Sequence, residues 1–183
     1  CAILRSDYML HAPTESVAPV VKQVEINTIS ASFAGLSARI TRLHRHALRE
    51  LRPEVNWRAV PENKCDEGVV QCMYEAWRAY GQPNAVIVFV VQERERNKYD
   101  QQHLQNLLSE RYGVRTVRRS LQQLSQCSEF REQADTKRKL LFVDGVEAAI
   151  VYFRAGYGPG DYESDADWAT RKKLEESFAI KIP

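Results

Sequence analysis

The chain has 183 residues, 44% apolar and 27% charged, with 26 Lys and Arg against 24 Asp and Glu, a formal charge of +2. That length suits one domain with a real core, and the composition excludes an intrinsically disordered chain. No apolar run reaches the roughly 20 residues of a bilayer span, no signal-peptide pattern opens the chain, and near-neutral charge argues against a dedicated nucleic-acid coat.

In chain order, residues 3–10 (ILRSDYML) and 20–26 (VVKQVEI) read as strands, and Pro13, Thr14, Ser16 and Pro19 mark a long loop between them. A helix follows from the spacing of Phe33, Leu36, Ile40, Leu43, Ala47 and Leu51, with Ser32 as the predicted N-cap and Pro53 near its end. Residues 53–64, with Pro53, Asn56, Pro61 and Asn63, read as a surface connection. A second helix is predicted over roughly 66–80, burying Val69, Val70, Met73, Trp77 and Tyr80 and stopped by Gly81. Asn84–Val91 (NAVIVFVV) is an unbroken apolar run, the pattern of a parallel strand covered on both faces. A helix over 98–112 ends at Gly113, and a strand over 114–118 completes a βαβ unit with its right-handed crossover. Then come a short helix at 120–126, a polar loop at 127–139, strands at 140–143 and 146–153 joined by Asp144-Gly145, an irregular Gly-rich stretch at 154–162, and a helix over 166–179 capped by Asp165. The expected fold is α/β, one domain over 1–183: a mostly parallel, Rossmann-like sheet flanked by helices, with an N-terminal β-hairpin and a later one.

The cysteines at 1, 65, 72 and 127 show no CxxC spacing, which predicts reduced thiols and an intracellular, cytoplasmic protein. Cys65 and Cys72 lie two turns apart on one helix and read as core packing. His44 and His46 fall on different helix faces and make a poor metal pair.

Four segments place polar groups where an element ends. Glu25 and Asn27 are two apart on a strand, so a carboxylate and an amide oxygen share one face; hard cations such as Mg²⁺ take such donors, although a solvated edge strand is the plainer reading. Ile29, Ser30, Ala31 and Ser32 lead into a helix, whose free N–H groups attract carboxylate or phosphate unless Ser32 merely caps it. Gln92–Asn97 (QERERN) follows the apolar strand, where open α/β sheets bind ligands. Arg154, Ala155, Gly156 and Tyr157 follow the last strand; Arg154 can clamp a carboxylate and Gly156 lets backbone approach a ligand. A stripe of Arg39, Arg42, Arg45, Arg49 and Arg52 reads as a solvated helix face, with RNA contact as the other reading.

Taken together, RSDYM, KQVEINTISASFAGLSAR, HRHAL, QERERNKYDQ, LFVDG and VYFRAGY resemble eukaryotic-type glutathione synthetase in order and spacing along essentially the whole chain. The resemblance implies the substrate-binding part of an ATP-grasp ligase, which uses ATP and Mg²⁺ to join γ-glutamylcysteine to glycine through an acyl phosphate, commonly as a homodimer, without nucleic acid or membrane. It implies Glu25 for Mg²⁺ and ATP and Asn27 for Mg²⁺. It assigns the peptide substrate to Arg5, Ile29, Ser30, Ala31, Ser32, Glu95, Arg96, Asn97, Gln101, Arg154, Ala155, Gly156 and Tyr157, with Arg5, Ser32 and Arg154 also expected in catalysis. Where the family pattern reads RDGY, this chain has Ala155 in place of aspartate, which weakens substrate binding if that carboxylate orients Arg154. Segment 127–139 looks like a surface insertion. Cys1 in place of Met and the stop at Pro183 predict a piece of a longer protein, inactive alone because no ATP-grasp phosphate loop follows. A non-catalytic binding or assembly module sharing the sequence is the alternative.

Overall fold

All five residues of the strand Val86–Val90 are buried, as an unbroken run of Val, Ile and Phe demands. Alternation sends Ile87 and Phe89 to one face, against Val70, Met73, Leu104 and Leu108, and Val86, Val88 and Val90 to the other, against Leu121, Leu124 and Leu174. Each such side chain contributes about 1.5–3 kcal/mol when fully buried.

The computed structural model describes residues 2–14 and 16–183; Cys1, singled out in the sequence, lies outside them. Chain order runs β1 (Arg5–His11), β2 (Val20–Asn27), α1 (Ala34–Leu51), α2 (Cys65–Tyr80), β3 (Val86–Val90), α3 (Lys98–Tyr112), β4 (Thr116–Arg119), α4 (Leu121–Cys127), β5 (Ser128–Glu132), β6 (Lys139–Val143), β7 (Val146–Phe153), α5 (Asp165–Glu176) and β8 (Ile180–Ile182). Single 3₁₀ turns stand at Trp57–Ala59 and Pro159–Asp161.

The main sheet has the order β4-β3-β7-β6-β5, and β8 lies beside β7. Strands β4, β3, β7 and β8 are parallel, while β5 and β6 add antiparallel pairs, so the sheet is mixed around a parallel centre. The β3–α3–β4 unit winds away from β7, and β7–α5–β8 winds away from β3. Helices α2 and α3 therefore cover one face and α4 and α5 the other. The winding reverses between β3 and β7, which is where an open α/β sheet leaves a crevice at its strand ends.

The hairpin β1–β2 is a separate antiparallel ribbon, with Arg5 opposite Asn27, Asp7 opposite Glu25, and a bulge after Asp7. It leaves Tyr8, Met9, Leu10, Val21, Val24 and Ile26 exposed.

Several expectations are corrected. Residues 128–132 of the polar segment 127–139 form strand β5, an edge strand whose outward residues meet water, so its sequence carries little apolar signal. The last helix stops at Glu176, and Ile180–Ile182 forms β8, too short for a period-2 pattern. Ser164, not Asp165, caps α5, in a capping box with Asp167. Ser32 does not cap α1: the cap position is Phe33, with φ 70°, and its helix finds its acceptor elsewhere. The Asp144-Gly145 turn is present with both residues at positive φ, but β6 and β7 pair only over Phe142–Val143 and Val146–Glu147. Cys65 and Cys72 are half-buried, and the Cys65 thiol donates to the Ala34 carbonyl at 2.9 Å.

Candidate functional site

The sequence-predicted residues gather into two groups. The first is on the hairpin. Direct cross-strand partners face the same way, so Arg5, Asp7, Glu25 and Asn27 share one surface. Arg5 Nε and Nη2 donate to the two oxygens of Asp7 at 2.9 Å each, and Arg5 Nη2 lies 3.9 Å from Glu25 Oε1. Asn27 Nδ2 donates to Glu25 Oε1 at 3.0 Å and to Asp7 Oδ2 at 3.3 Å. The Arg5 hydrogen bonds hold the Asp7 carboxyl below the usual aspartate range, and Asp7 in turn raises the Arg5 guanidinium. Because the Asn27 amide nitrogen is engaged, its carbonyl oxygen is the atom left to meet a cation, beside an exposed carboxylate. Two oxygen donors fit Mg²⁺, which commonly takes one or two protein carboxylates together with phosphate and water. Among the described residues no three His, Cys, Asp or Glu side chains form a metal cluster.

The second group surrounds a cleft of about 520 Å³ at the carboxyl ends of β3 and β7, lined by Ser32, Phe33, Gln92, Arg94, Glu95, Arg96, Asn97, Arg154 and Tyr157. Its floor is Arg154. The Arg154 N–H donates to the Val90 carbonyl at 2.7 Å, continuing the β3–β7 ladder one residue beyond the strands. The residue is 5% exposed. Its Nη1 donates to the Ala31 carbonyl at 3.0 Å, its Nη2 donates to Ser32 Oγ, and its guanidinium stands over the Tyr152 ring. No carboxylate lies within ion-pair distance of Arg154 among the described residues. A buried cation without a counter-charge is costly, and an anionic ligand is what would offset it.

The segment before α1 is bent to meet this arginine. Ser30 and Phe33 both have positive φ, at 47° and 70°, a strained state for residues other than glycine. Ser30 Oγ donates to the Phe153 carbonyl at 3.1 Å and Tyr152 donates to the Ala31 carbonyl at 3.4 Å. The Asp100 carboxylate accepts the N–H of Phe33 at 3.0 Å and of Leu36 at 2.9 Å. Gly35 permits this docking, since a Cβ there would come within 2.7 Å of the His103 ring.

Glu95 and Asn97 form a local turn in which Glu95 Oε1 accepts the Asn97 N–H at 2.7 Å. The Asn97 Nδ2 atom is buried and has no hydrogen-bond partner, on a residue that lines the cleft. Arg96 and Tyr157 are exposed at its rim. Three predicted residues stand apart. Ile29 is exposed outside both groups. Gln101 is 1% exposed, and its carbonyl oxygen accepts from Arg118 Nη2 at 2.8 Å. Ala155 is buried and lines a neighbouring cavity.

Sequence reasoning missed Asp7, Asp100 and Asp161 as organising residues. Asp7 was within reach, two places from Arg5 on a strand. Asp100 acts across the fold on a partner 67 positions away, which no local pattern reveals. On the arginine helix, Arg45 donates to the Val60 carbonyl, Arg49 pairs with Glu50 and Arg52 with Glu54.

A sequence model of the family described as eukaryotic glutathione synthase matches residues 85–183, more than half of the chain. The chain belongs to that family. It is 41% identical over 181 residues to a chloroplastic glutathione synthetase of Solanum lycopersicum, and 41% identical over 179 residues to a glutathione synthetase of Homo sapiens. Each match covers 98% of this chain, but 32% and 36% of those relatives, so the chain spans about a third of their length. Among solved structures, a glutathione synthetase like-effector from Globodera pallida, in apo form, superposes with a TM-score of 0.77 at 20% identity. The match covers 98% of this chain and 40% of that one, a likeness of fold. The family match takes in β3, the cleft loop at 92–97 and Arg154.

Proposed function

We propose that this chain is the substrate-binding part of a glutathione synthetase, an ATP-grasp ligase that joins γ-glutamylcysteine to glycine. Buried Arg154, hydrogen-bonded to Ser32 and without a carboxylate partner among the described residues, in a cleft that the orphaned Asn97 amide also lines, is the observation that carries this reading. A dipeptide with two carboxylates and an ammonium group suits a cleft that has arginines on its floor and rim and Glu95 beside them.

In the proposed reaction the cysteinyl carboxylate of γ-glutamylcysteine attacks the γ-phosphoryl group of ATP, giving an acyl phosphate and ADP. The glycine amine then attacks the acyl carbon, expelling phosphate and losing a proton. Negative charge shifts through the phosphoryl group to ADP in the first step and builds on the acyl oxygen and departing phosphate in the second, and Arg154 with Arg5 supplies positive charge to meet it. Ser32, held by Arg154, fixes the substrate against the floor. Glu25 and Asn27 would hold Mg²⁺, which when bound neutralises the ATP phosphates. Residence in the cytoplasm and assembly as a homodimer belong to this reading through the resemblance; two relatives are named chloroplastic. Among the described residues no helix is long and apolar enough to cross a membrane.

Calorimetry on the 183-residue chain tests the proposal: γ-glutamylcysteine binds, and Arg154→Met abolishes the heat. An ATP-dependent ligase assay on the same chain shows no turnover. Absence of binding by the unaltered chain overturns the substrate reading, and turnover overturns the assignment to a substrate-binding part alone.

A further inference from the structure

The turn after Arg154 is held by a carboxylate from outside the four residues RAGY. Gly156 has φ 88°. Its N–H donates to Asp161 Oδ2 at 2.8 Å, and its carbonyl accepts from the Tyr162 hydroxyl at 2.9 Å and from Arg171 Nη1 at 3.3 Å. The other Asp161 oxygen, Oδ1, accepts from Gln92 Nε2 at 2.9 Å, and Gln92 Nε2 also lies 3.3 Å from the Tyr157 hydroxyl. Asp161 thus ties the chain leaving β3 to the chain leaving β7, on either side of the crevice, next to a tyrosine on the cleft rim.

Position 155 looks into the same space. Ala155 is 3% exposed and lines a cavity of about 410 Å³ whose wall also includes Gln92 and Asp161. The orientation of Arg154 does not depend on position 155, since its guanidinium is held by Ala31, Ser32 and the Tyr152 ring. Of positions 155 and 161, one holds a carboxylate and the other a methyl group.

We propose that Asp161 is a positioning residue, whose carboxylate bridges Gly156 and Gln92 so that Tyr157 is presented to the cleft and a carboxylate at position 155 is dispensable. The proposal rests on the substrate reading of the cleft. The bridge needs two acceptors for two donors. Asparagine removes the charge and offers one oxygen, so in Asp161→Asn the Gly156 N–H loses a charged acceptor or the Gln92 amide must turn over to keep its arm, and the bridge weakens. A carboxylate introduced at 155 returns the missing charge to the cavity that both positions line.

Two measurements on the 183-residue chain test this: γ-glutamylcysteine affinity by calorimetry and exchange of the Gly156 amide hydrogen by NMR. Asp161→Asn is expected to weaken binding about tenfold, the scale of one hydrogen bond to a charged group, and to speed Gly156 exchange. Ala155→Asp alone also weakens binding, by placing two carboxylates in one cavity. The double variant Ala155→Asp/Asp161→Asn recovers most of the affinity, which a merely structural role for Asp161 would not produce. Unchanged Gly156 exchange in Asp161→Asn, or a double variant no better than the single, overturns the proposal. If the unaltered chain takes no γ-glutamylcysteine, the substrate reading fails and the exchange arm still decides the bridge. If Asp161→Asn fails to fold, Gln92→Ala carries the test by removing the far arm; affinity equal to the unaltered chain overturns the proposal.

Discussion

Asp100 caps α1 from a position 67 residues beyond Phe33, accepting the Phe33 N–H at 3.0 Å and the Leu36 N–H at 2.9 Å. Asp100 is 3% exposed, whereas Phe33 and Leu36 lie at the surface, so the cap reaches out from the interior to the start of α1. An N-cap ordinarily comes from the residue just before its own helix. Here the cap comes from α3, whose N-terminal end follows the cleft loop, and it holds the strained Phe33 against the element that follows β3. Asp100→Ala is expected to cost about 0.5–2 kcal/mol, the scale of a lost helix cap. Asp100→Asn, which keeps one acceptor oxygen, costs less. Urea unfolding of the 183-residue chain measures both. A midpoint for Asp100→Ala equal to the unaltered chain would show that α1 finds another cap.

Two glycines on helices predict opposite signs. A methyl group at Gly35 would meet the His103 ring at 2.7 Å and Asp100 Oδ1 at 3.1 Å. Gly35→Ala therefore pushes α1 off α3, at about 1–3 kcal/mol. At Gly68, inside α2, a methyl group would have nothing within 4 Å. Gly68→Ala gains about 0.5–1 kcal/mol from lost backbone freedom in the unfolded chain and better helix propensity. Thermal melts of the two variants should move in opposite directions, and a common direction would contradict the close packing of α1 on α3.

Much of the architecture could be read in advance because its cause is local. The run from Val86 to Val90, the 3–4 spacing of α2 and α3, and Gly81 and Gly113 at left-handed helix ends each carry their own instruction. Strand β5 could not be read this way, because an edge strand that faces water alternates too weakly. Strand β8 owes its existence to the free edge of β7, which lies outside its own three residues. The site divides similarly. Arg154 and Glu25 stand beside recognisable element ends. The cap on α1 and the carboxylate behind Gly156 come from residues that only the fold brings near.

Arg5 and Asp7 make a prediction about pH. The Arg5 hydrogen bonds lower the Asp7 carboxyl below its ordinary value of about 3.9. A carboxyl lowered in the folded state contributes stability that is present above its unfolded pKa and lost as pH falls through the folded value. The pair therefore persists through the neutral range and opens only in acid below about pH 4. An NMR titration of the Asp7 carboxyl carbon should show a depressed midpoint that rises toward the ordinary value in Arg5→Gln. A midpoint unmoved by that substitution would mean the guanidinium is not what holds it.

The hairpin cation site is tested by contrast between two glutamates. Glu25 accepts from Asn27 and faces the surface where Asn27 leaves a carbonyl oxygen available. Glu54 is also an exposed glutamate, with its carboxyl lowered by Arg52, but it lies just beyond α1 and touches none of the hairpin group. Under the proposed function, and in the full-length ligase it implies, Glu25→Gln keeps the shape of the side chain and removes the charge that Mg²⁺ would need. Even partners standing behind a metal's ligands cost about 10–100-fold in affinity or rate when replaced, so losing a ligand charge should cost at least that much. The Mg²⁺ concentration for half-maximal rate should rise in Glu25→Gln and stay put in Glu54→Gln. Direct Mn²⁺ binding, followed by the relaxation of water protons, should weaken in the same variant and no other. Equal behaviour of the two variants in both measurements would remove the metal assignment and leave Glu25 as a partner of Asn27 on a solvated ribbon.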